Sequence, residues 1–278
     1  MDRLSLRQTL SAFLAEDIGH GDLTSESIFT PHDLGRAQIV ARESCVVAGV
    51  DSVAPEVFRL QNPVVELNVK VQDGQRVEPG QVLLEVAGPV IDLLKAERVA
   101  LNLLQRLSGI STLTAAFVER VKLYPVRITD TRKTTPGLRA LEKEAVRAGG
   151  AYNHRFHLAD GVLVKDNHIA ACGSIARAVA RIRKHIPHTL RIEVETDTLE
   201  QVIECLECKV DIIMLDNMSV KEMREAVAVI DGRALVEASG GVNLKTVTDI
   251  AATGVDIISI GALTHSASAC DLGMDWLV

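Results

Sequence analysis

The stretch LRIEVETDTLEQVIECLECKVDIIMLDN, residues 190–217, reads as strand, helix and strand. LRIEVE (190–195) and VDIIMLD (210–216) are short runs rich in branched aliphatic residues, the character of strands buried on both faces in a parallel sheet. Between them, TLEQVIECLEC carries apolar residues at helical spacing. Parallel neighbours need such a crossover, and it runs right-handed. The unit repeats in both directions. VRITD (126–130), GVLVK (161–165), ALVEAS (234–239) and VDIISIG (255–261) supply further strands, and SIARAVARIRKHI, VKEMREAVAVI and NLKTVTDIAATG supply helices.

A barrel and a doubly wound sheet both satisfy this alternation, and the strand ends decide between them. In chain order they carry Asp130 with Arg132 and Lys133; Lys165 with Asn167 and His168; Glu193 and Glu195; Asp216 with Asn217; Ser239, Gly240 and Gly241; and Gly261 with His265. A doubly wound sheet gathers its ligand at one switch point, whereas a barrel draws residues from all strands to one mouth, so polar groups at every end predict the barrel. No GxGxxG or Walker A sequence argues for a dinucleotide or P-loop site.

The first 110 residues read differently. AQIVARESCVVAGV, VELNVKVQDGQRV and QVLLEVAGPV are strand-like and separated by turns, which predicts an antiparallel sheet with helices on it. QDGQRVEPGQVLLEVAG resembles a carrier-domain hairpin but lacks the modified lysine in its turn, so it is read as structural. LLKAERVALNLLQRLSGISTLTAAFVERV predicts a long helix or helix pair linking two domains.

Composition narrows the function. The chain has 278 residues, a formal net charge of −7 and 3% aromatic residues. That acidity leaves too few cations for general phosphate-backbone binding, and few rings for stacking on bases, so nucleic acid is not an expected partner. No apolar run reaches the roughly 18 residues of a membrane span. The N-terminal MDRLSLRQTLSAFLAEDIG reads as an amphipathic helix instead of a signal peptide, so a cytoplasmic address is expected. Five scattered cysteines predict no disulfide framework, and the Cys205–Cys208 pair sits in a helical pattern with no second pair.

Against the acidic background, Arg132, Lys133, Arg139, Lys143, Arg147, Arg155 and Lys165 form a basic cluster. Arg132, Lys133 and Lys165 stand at strand ends and point to a polyanionic ligand; Lys143 and Arg147, inside the helical LEKEAVRAG, read as surface cations. Glu195 and Asp216 end successive strands and can converge as hard oxygen ligands for Mg²⁺, or neutralise the nearby cations. Glu193 shares the parity of Glu195, so alternation alone does not choose between them. Ser239–Gly240–Gly241 and Gly261–His265 fall on the last two strands, where barrels build phosphate sites from backbone N–H groups; tight structural turns are the other reading. The three parts suit one phosphorylated sugar and one polycarboxylate.

The sequence resembles the quinolinate phosphoribosyltransferase family from EDIGHGDLTSE (16–26) through ERVALNLLQRLSGI, DTRKTTPGLR, AGGAYNHR, VKDNH, IEVE, IIMLDN and EASGG to DIISIGALTHS. The resemblance implies an α/β chain: an N-terminal α/β sandwich domain (1–108, joined by 268–278) and an incomplete (β/α) barrel of the TIM type (109–267). It implies transfer of phosphoribose from 5-phosphoribosyl-1-pyrophosphate to quinolinate with decarboxylation, in the presence of Mg²⁺. Arg132, Lys133, His154, Arg155 and Lys165 would form the dicarboxylate and phosphoribosyl pocket, with Lys133, Glu195 and Asp216 catalytic. Glu195 and Asp216 would hold the metal and ribose, and Ser239, Gly240, Gly241, Gly261 and His265 the phosphate side. Arg98 would enter from a neighbouring subunit of a homodimer or hexamer. The chain departs from the family pattern at Glu144, Ala151 and Phe156–His157, which bear on the loop from Gly149 to Leu158 and remove no charged group. A ModD-like relative with another acceptor, and a non-catalytic binder of phosphorylated ligands, are the competing readings. Asn153 and Lys165 favour the quinolinate enzyme over the former.

Overall fold

Both VDII runs carry, as their second residue, an aspartate that bonds its neighbour strand twice. Asp211 N–H donates to the Ile192 carbonyl (3.0 Å) and its carboxylate accepts from Ile192 N–H (2.8 Å); Asp256 repeats this with Val236 at 2.9 and 2.8 Å. Each pair of bonds fixes where a parallel ladder starts, and with it which side chains face inward.

The computed structural model describes residues 2–277. Its N-terminal elements are α1 (Arg3–Ile18), α2 (Leu23–Ile28), β1 (Leu34–Ala41), β2 (Cys45–Val46), α3 (Val53–Gln61), β3 (Glu66–Val69), β4 (Arg76–Val77), β5 (Val82–Pro89) and α4 (Val90–Val121). There follow β6 (Arg127–Thr129), α5 (Arg139–Ala148), β7 (Val162–Val164), α6 (Asp166–Cys172), α7 (Ile175–Arg183), β8 (Ile192–Thr196), α8 (Leu199–Glu207), β9 (Ile212–Asp216) and α9 (Val220–Ile230). The chain finishes with β10 (Leu235–Ser239), α10 (Val247–Ala251), β11 (Ile257–Ser259), α11 (Ala262–His265) and β12 (Leu272–Trp276). Among the described residues no helix is long and apolar enough to cross a membrane.

These elements pack as two compact units. One holds the chain up to Ala115, Thr135–Gly150 and the segment from Ser266; the other holds Ala116–Thr134 and Ala151–His265. This differs from the expected 109–267 barrel segment, because α5 and its flanks pack in the first unit. The reason is a buried ion pair: Glu142, 0% exposed, accepts from Arg106 Nη2 of α4 (2.9 Å) and from Thr135 N–H (3.1 Å). Lys143, expected at the surface, is likewise 0% exposed, whereas Arg147 is exposed.

In the first unit an antiparallel sheet runs β12-β1-β5-β3. Leu6, Leu10 and Leu14 line one buried face of α1, which Asp2 caps, and Arg7 pairs with the buried Glu56 of α3 at 3.3 Å. The sequence left a helix or a helix pair open before β6; α4 is a single helix of 32 residues.

The second unit contains a six-stranded parallel sheet ordered β6-β11-β10-β9-β8-β7. From β7 to β11 each strand lies beside its successor without reversal, and β6 joins at β11. That is the winding of a barrel rather than of a doubly wound sheet. Among the described residues β6 and β7 do not pair, and the bridge from Thr129 to Tyr152 stands beside β6, so the barrel is incomplete. All six strands read from the sequence are present. Thr198 and the Ser219–Glu222 capping box start α8 and α9, satisfying N–H groups that lack helical partners.

Gly109 of α4 admits no side chain, since a Cβ there would lie 1.9 Å from the Ser268 carbonyl oxygen. Gly109→Ala is therefore expected to destabilise the fold by about 1–3 kcal/mol or more, the range for overpacking, measured by denaturant unfolding.

Candidate active site

The C-terminal ends of the parallel strands surround a cavity of about 650 Å³. Arg132 and Lys133 follow β6 into it, His154 and Arg155 come from the next loop, and Lys165 follows β7. Glu195 and Asp216 reach it from β8 and β9, Ser239, Gly240 and Gly241 from the end of β10, and Gly261 and His265 from beyond β11. Arg98 does not line it; this residue is exposed on α4 in the first unit. Four basic residues and two acidic ones face the cavity of a chain whose net charge is −7. Glu195 lines the opening, while Glu193, two residues earlier on the same strand face, is 4% exposed and absent from the lining.

The basic wall is held by its own backbone contacts. Asp130, fully buried at the end of β6, accepts from Asn153 Nδ2 (2.7 Å) and His154 N–H (2.8 Å), tying the His154–Arg155 loop to the strand. Arg155 Nη1 donates to the Gly161 carbonyl at 2.7 Å. Burial, then the nearby Arg132 charge, lowers the Arg155 pKa, while the Glu193 and Asp160 charges oppose the fall. Thr264 Oγ1 donates to the Lys133 carbonyl (2.8 Å), and Gly261 leaves room for the Lys133 stem, because a Cβ there would stand 2.9 Å from Lys133 Cδ. The departures at Phe156–His157 leave a closed turn in which Asp160 Oδ2 accepts from both backbone N–H groups, at 3.0 and 2.8 Å.

On the same cavity, Lys165 Nζ bonds Glu195 Oε2. Burial, then the Glu195 charge, raises the Asp216 pKa, while the hydrogen bond from Asn217 and the charges of Lys165 and Lys133 oppose the rise. Two acids that repel each other at the cavity mouth are a donor set a cation would relieve.

The rim beyond Asp216 depends on glycine. Gly240 and Gly241 have φ of +91° and +62°, which side-chain-bearing residues rarely adopt. A Cβ on Gly240 would sit 2.2 Å from Asn217 Oδ1. Asn217 itself lies at φ 55°, bonds Ser239 through its backbone N–H (2.9 Å) and donates from Nδ2 to Asp216 Oδ2 (2.9 Å). Sequence reasoning left this residue out of the site, together with Thr131, Leu163 and Met214 of the lining. Leu163 and Met214 share strand parity with Lys165 and Asp216, and that signal was available. Ser259 also lines the cavity, whereas Cys205 lies buried in α8 with its thiol pushed up to about 12 by burial.

Comparison with known proteins agrees across the chain. Residues 110–275 match the family model for the quinolinate phosphoribosyl transferase C-terminal domain, and residues 22–108 match the N-terminal domain model. The probable nicotinate-nucleotide pyrophosphorylase (carboxylating) of Bacillus subtilis is 46% identical over 275 residues, covering 99% of this chain and 94% of that protein. The Mycobacterium leprae nicotinate-nucleotide pyrophosphorylase (carboxylating) is 43% identical, with 97% and 96% covered. The crystal structure of NadC from Streptococcus pyogenes superposes with a TM-score of 0.95 at 41% identity, covering 100% of this chain and 99% of that one.

Asn217→Ala loses a hydrogen bond to Asp216 and keeps a side chain at positive φ, so about 1–2 kcal/mol of stability should be lost. Asn217→Gly loses the same bond without the backbone strain and should be less destabilising; equal midpoints in denaturant would refute the strain argument.

Proposed function

Because the chain belongs to the quinolinate phosphoribosyltransferase family, we propose that it transfers phosphoribose from 5-phosphoribosyl-1-pyrophosphate to quinolinate and decarboxylates the adduct, giving nicotinate mononucleotide, pyrophosphate and CO₂ for NAD biosynthesis. The observation that carries this reading is one cavity lined together by Arg132, Lys133, Arg155 and Lys165, by Glu195 and Asp216, and by a glycine rim. The cations match the two carboxylates of quinolinate, and guanidinium groups can bind each carboxylate in bidentate fashion. Backbone N–H groups at Gly240, Gly241 and Gly261 suit the 5-phosphate.

Departure of pyrophosphate leaves positive charge on the ribose, which the carboxylates of Glu195 and Asp216 stabilise, while Lys133 offsets charge on the leaving group. Glu195 and Asp216 are also the residues that would hold Mg²⁺, and the ion would supply charge neutralisation for the pyrophosphate. Once the pyridine nitrogen is substituted, the ring becomes the electron sink for loss of the 2-carboxylate. No covalent nucleophile from the protein is needed, and the side chains work by position and charge. Arg98, exposed and outside the lining, is assigned to a neighbouring subunit's cavity in a homodimer or hexamer. A cytoplasmic site of action accompanies this reading.

Arg132→Ala should lower kcat/KM for quinolinate by about 10- to 100-fold or more while leaving the unfolding midpoint unchanged, because a charge-assisted bidentate contact is lost at a cavity wall. Quinolinate-dependent CO₂ release measures it, and wild-type turnover in this variant would remove Arg132 from the site. Chelating divalent ions should stop pyrophosphate release and adding Mg²⁺ should restore it; activity that persists in excess chelator would contradict the metal assignment.

A further inference from the structure

The barrel is open between β6 and β7, and the segment leading to His154 and Arg155 runs beside β6 there. Among the described residues no ladder joins the two strands. Tyr152 N–H donates to the Ile128 carbonyl (2.9 Å), Asp130 N–H donates to the Tyr152 carbonyl (3.2 Å), and Thr129 and Tyr152 form one isolated parallel bridge. Beyond that bridge the segment is held by a side chain. The Asp130 carboxylate, 0% exposed, accepts the His154 N–H through Oδ1 (2.8 Å) and Asn153 Nδ2 through Oδ2 (2.7 Å). A carboxylate can only accept, so its second oxygen dictates which way the Asn153 amide points.

Asp130 is absent from the cavity lining, yet the residues it joins are part of it. Arg132 and Lys133 follow it in sequence, and His154 and Arg155 follow the amide it orients. The two arginines are near enough for the Arg132 charge to lower the Arg155 pKa, so like charges are kept together against their repulsion. Arg132 Nε is buried without a hydrogen-bond partner, while Arg155 has one nitrogen fixed on the Gly161 carbonyl. Neighbouring guanidiniums with a donor still open match a ligand bearing two adjacent carboxylates better than one bearing a single carboxylate.

We propose that Asp130 is a specificity-determining positioning residue: its two oxygens clasp the His154–Arg155 segment to the end of β6 and set the spacing of Arg132 and Arg155 to that of two adjacent carboxylates. It touches no substrate and acts through Asn153 and the His154 backbone. Loosening the clasp lets the guanidiniums separate, which weakens a dicarboxylate more than a monocarboxylate. The glycine rim at the end of β10 is untouched. Quinolinate as the ligand rests on the reading above; the preference for paired carboxylates does not.

The pair formed by Asp130 and Asn153 can be broken and rebuilt. Asp130→Asn leaves one of the two loop donors facing an amide N–H₂, and Asn153→Asp sets carboxylate against carboxylate. Each single change should raise KM for quinolinate at least about tenfold, with kcat and KM for 5-phosphoribosyl-1-pyrophosphate changed by less than about threefold. The double variant puts the amide on β6 and the carboxylate on the loop, and should return quinolinate KM to within about threefold of wild type. Equal losses for both substrates, or no recovery in the double variant, overturn the proposal. Asn153→Ala, at a half-buried position, keeps the carboxylate and serves if a change at the buried Asp130 prevents folding. It should raise quinolinate KM about three- to tenfold, and an unchanged KM sinks the idea. Calorimetric titration with benzene-1,2-dicarboxylate and with benzoate gives an answer independent of turnover. Wild type should bind the dicarboxylate at least about tenfold more tightly, Asp130→Asn should lose most of that ratio, and the double variant should regain it. A ratio that Asp130→Asn leaves unmoved contradicts the proposal, whereas a chain that ignores quinolinate yet shows this pattern overturns only the functional reading.

Discussion

The register of the parallel strands is the constraint on which the site depends. Asp216 pairs across to Ser239, and Glu195 pairs to Met214, so the carboxylates and the glycine rim share one end of the sheet. Strand side chains alternate with period two, so a slip by one residue would turn Glu195 and Asp216 out of the cavity and bring their neighbours in. The carboxylates of Asp211 and Asp256 bond the starts of β8 and β10 and hold that register at the opposite end. Conserving the pairing in this way lets short strands, three residues in β6, β7 and β11, still present their ends in defined places.

Given that register, the cavity is a cationic surface assembled in an acidic protein. Its cations are positioned before any ligand arrives: Lys165 by Glu195, Arg155 by the Gly161 carbonyl, and the Lys133 backbone by Thr264. Fixed charges of this kind lose little to reorganisation when charge develops during a reaction. Their arrangement reaches a layer deeper, since His154 links the lining to Glu193 and Glu237 in the barrel interior.

Much of this was legible in the sequence, for a physical reason. Buried parallel strands must be apolar along their length, so VDIIMLD and VDIISIG announce themselves, and the polar residues that end them mark the mouth. What local pattern does not carry is the identity of a distant partner. Lys143 looked solvated because LEKEAVRAG reads as a charged helix, yet its neighbour Glu142 is buried against Arg106, 36 positions earlier. That same packing moved residues 135–150 out of the expected barrel segment. Alternation put Glu193 and Glu195 on one face but not at one depth, and only the sheet's three-dimensional course separates them. Asn217 was visible as a polar strand end; its positive φ and its contact with Gly240 were not.

The central claim is that one cavity couples phosphoribosyl transfer to decarboxylation of a pyridine dicarboxylate. The most direct measurement follows the purified chain with Mg²⁺, 5-phosphoribosyl-1-pyrophosphate and quinolinate labelled at the 2-carboxylate. Labelled CO₂, pyrophosphate and nicotinate mononucleotide should appear in equal amounts, and none of them when either substrate is withheld. Pyrophosphate release without labelled CO₂, or equal turnover of a pyridine lacking the 2-carboxylate, would contradict the account.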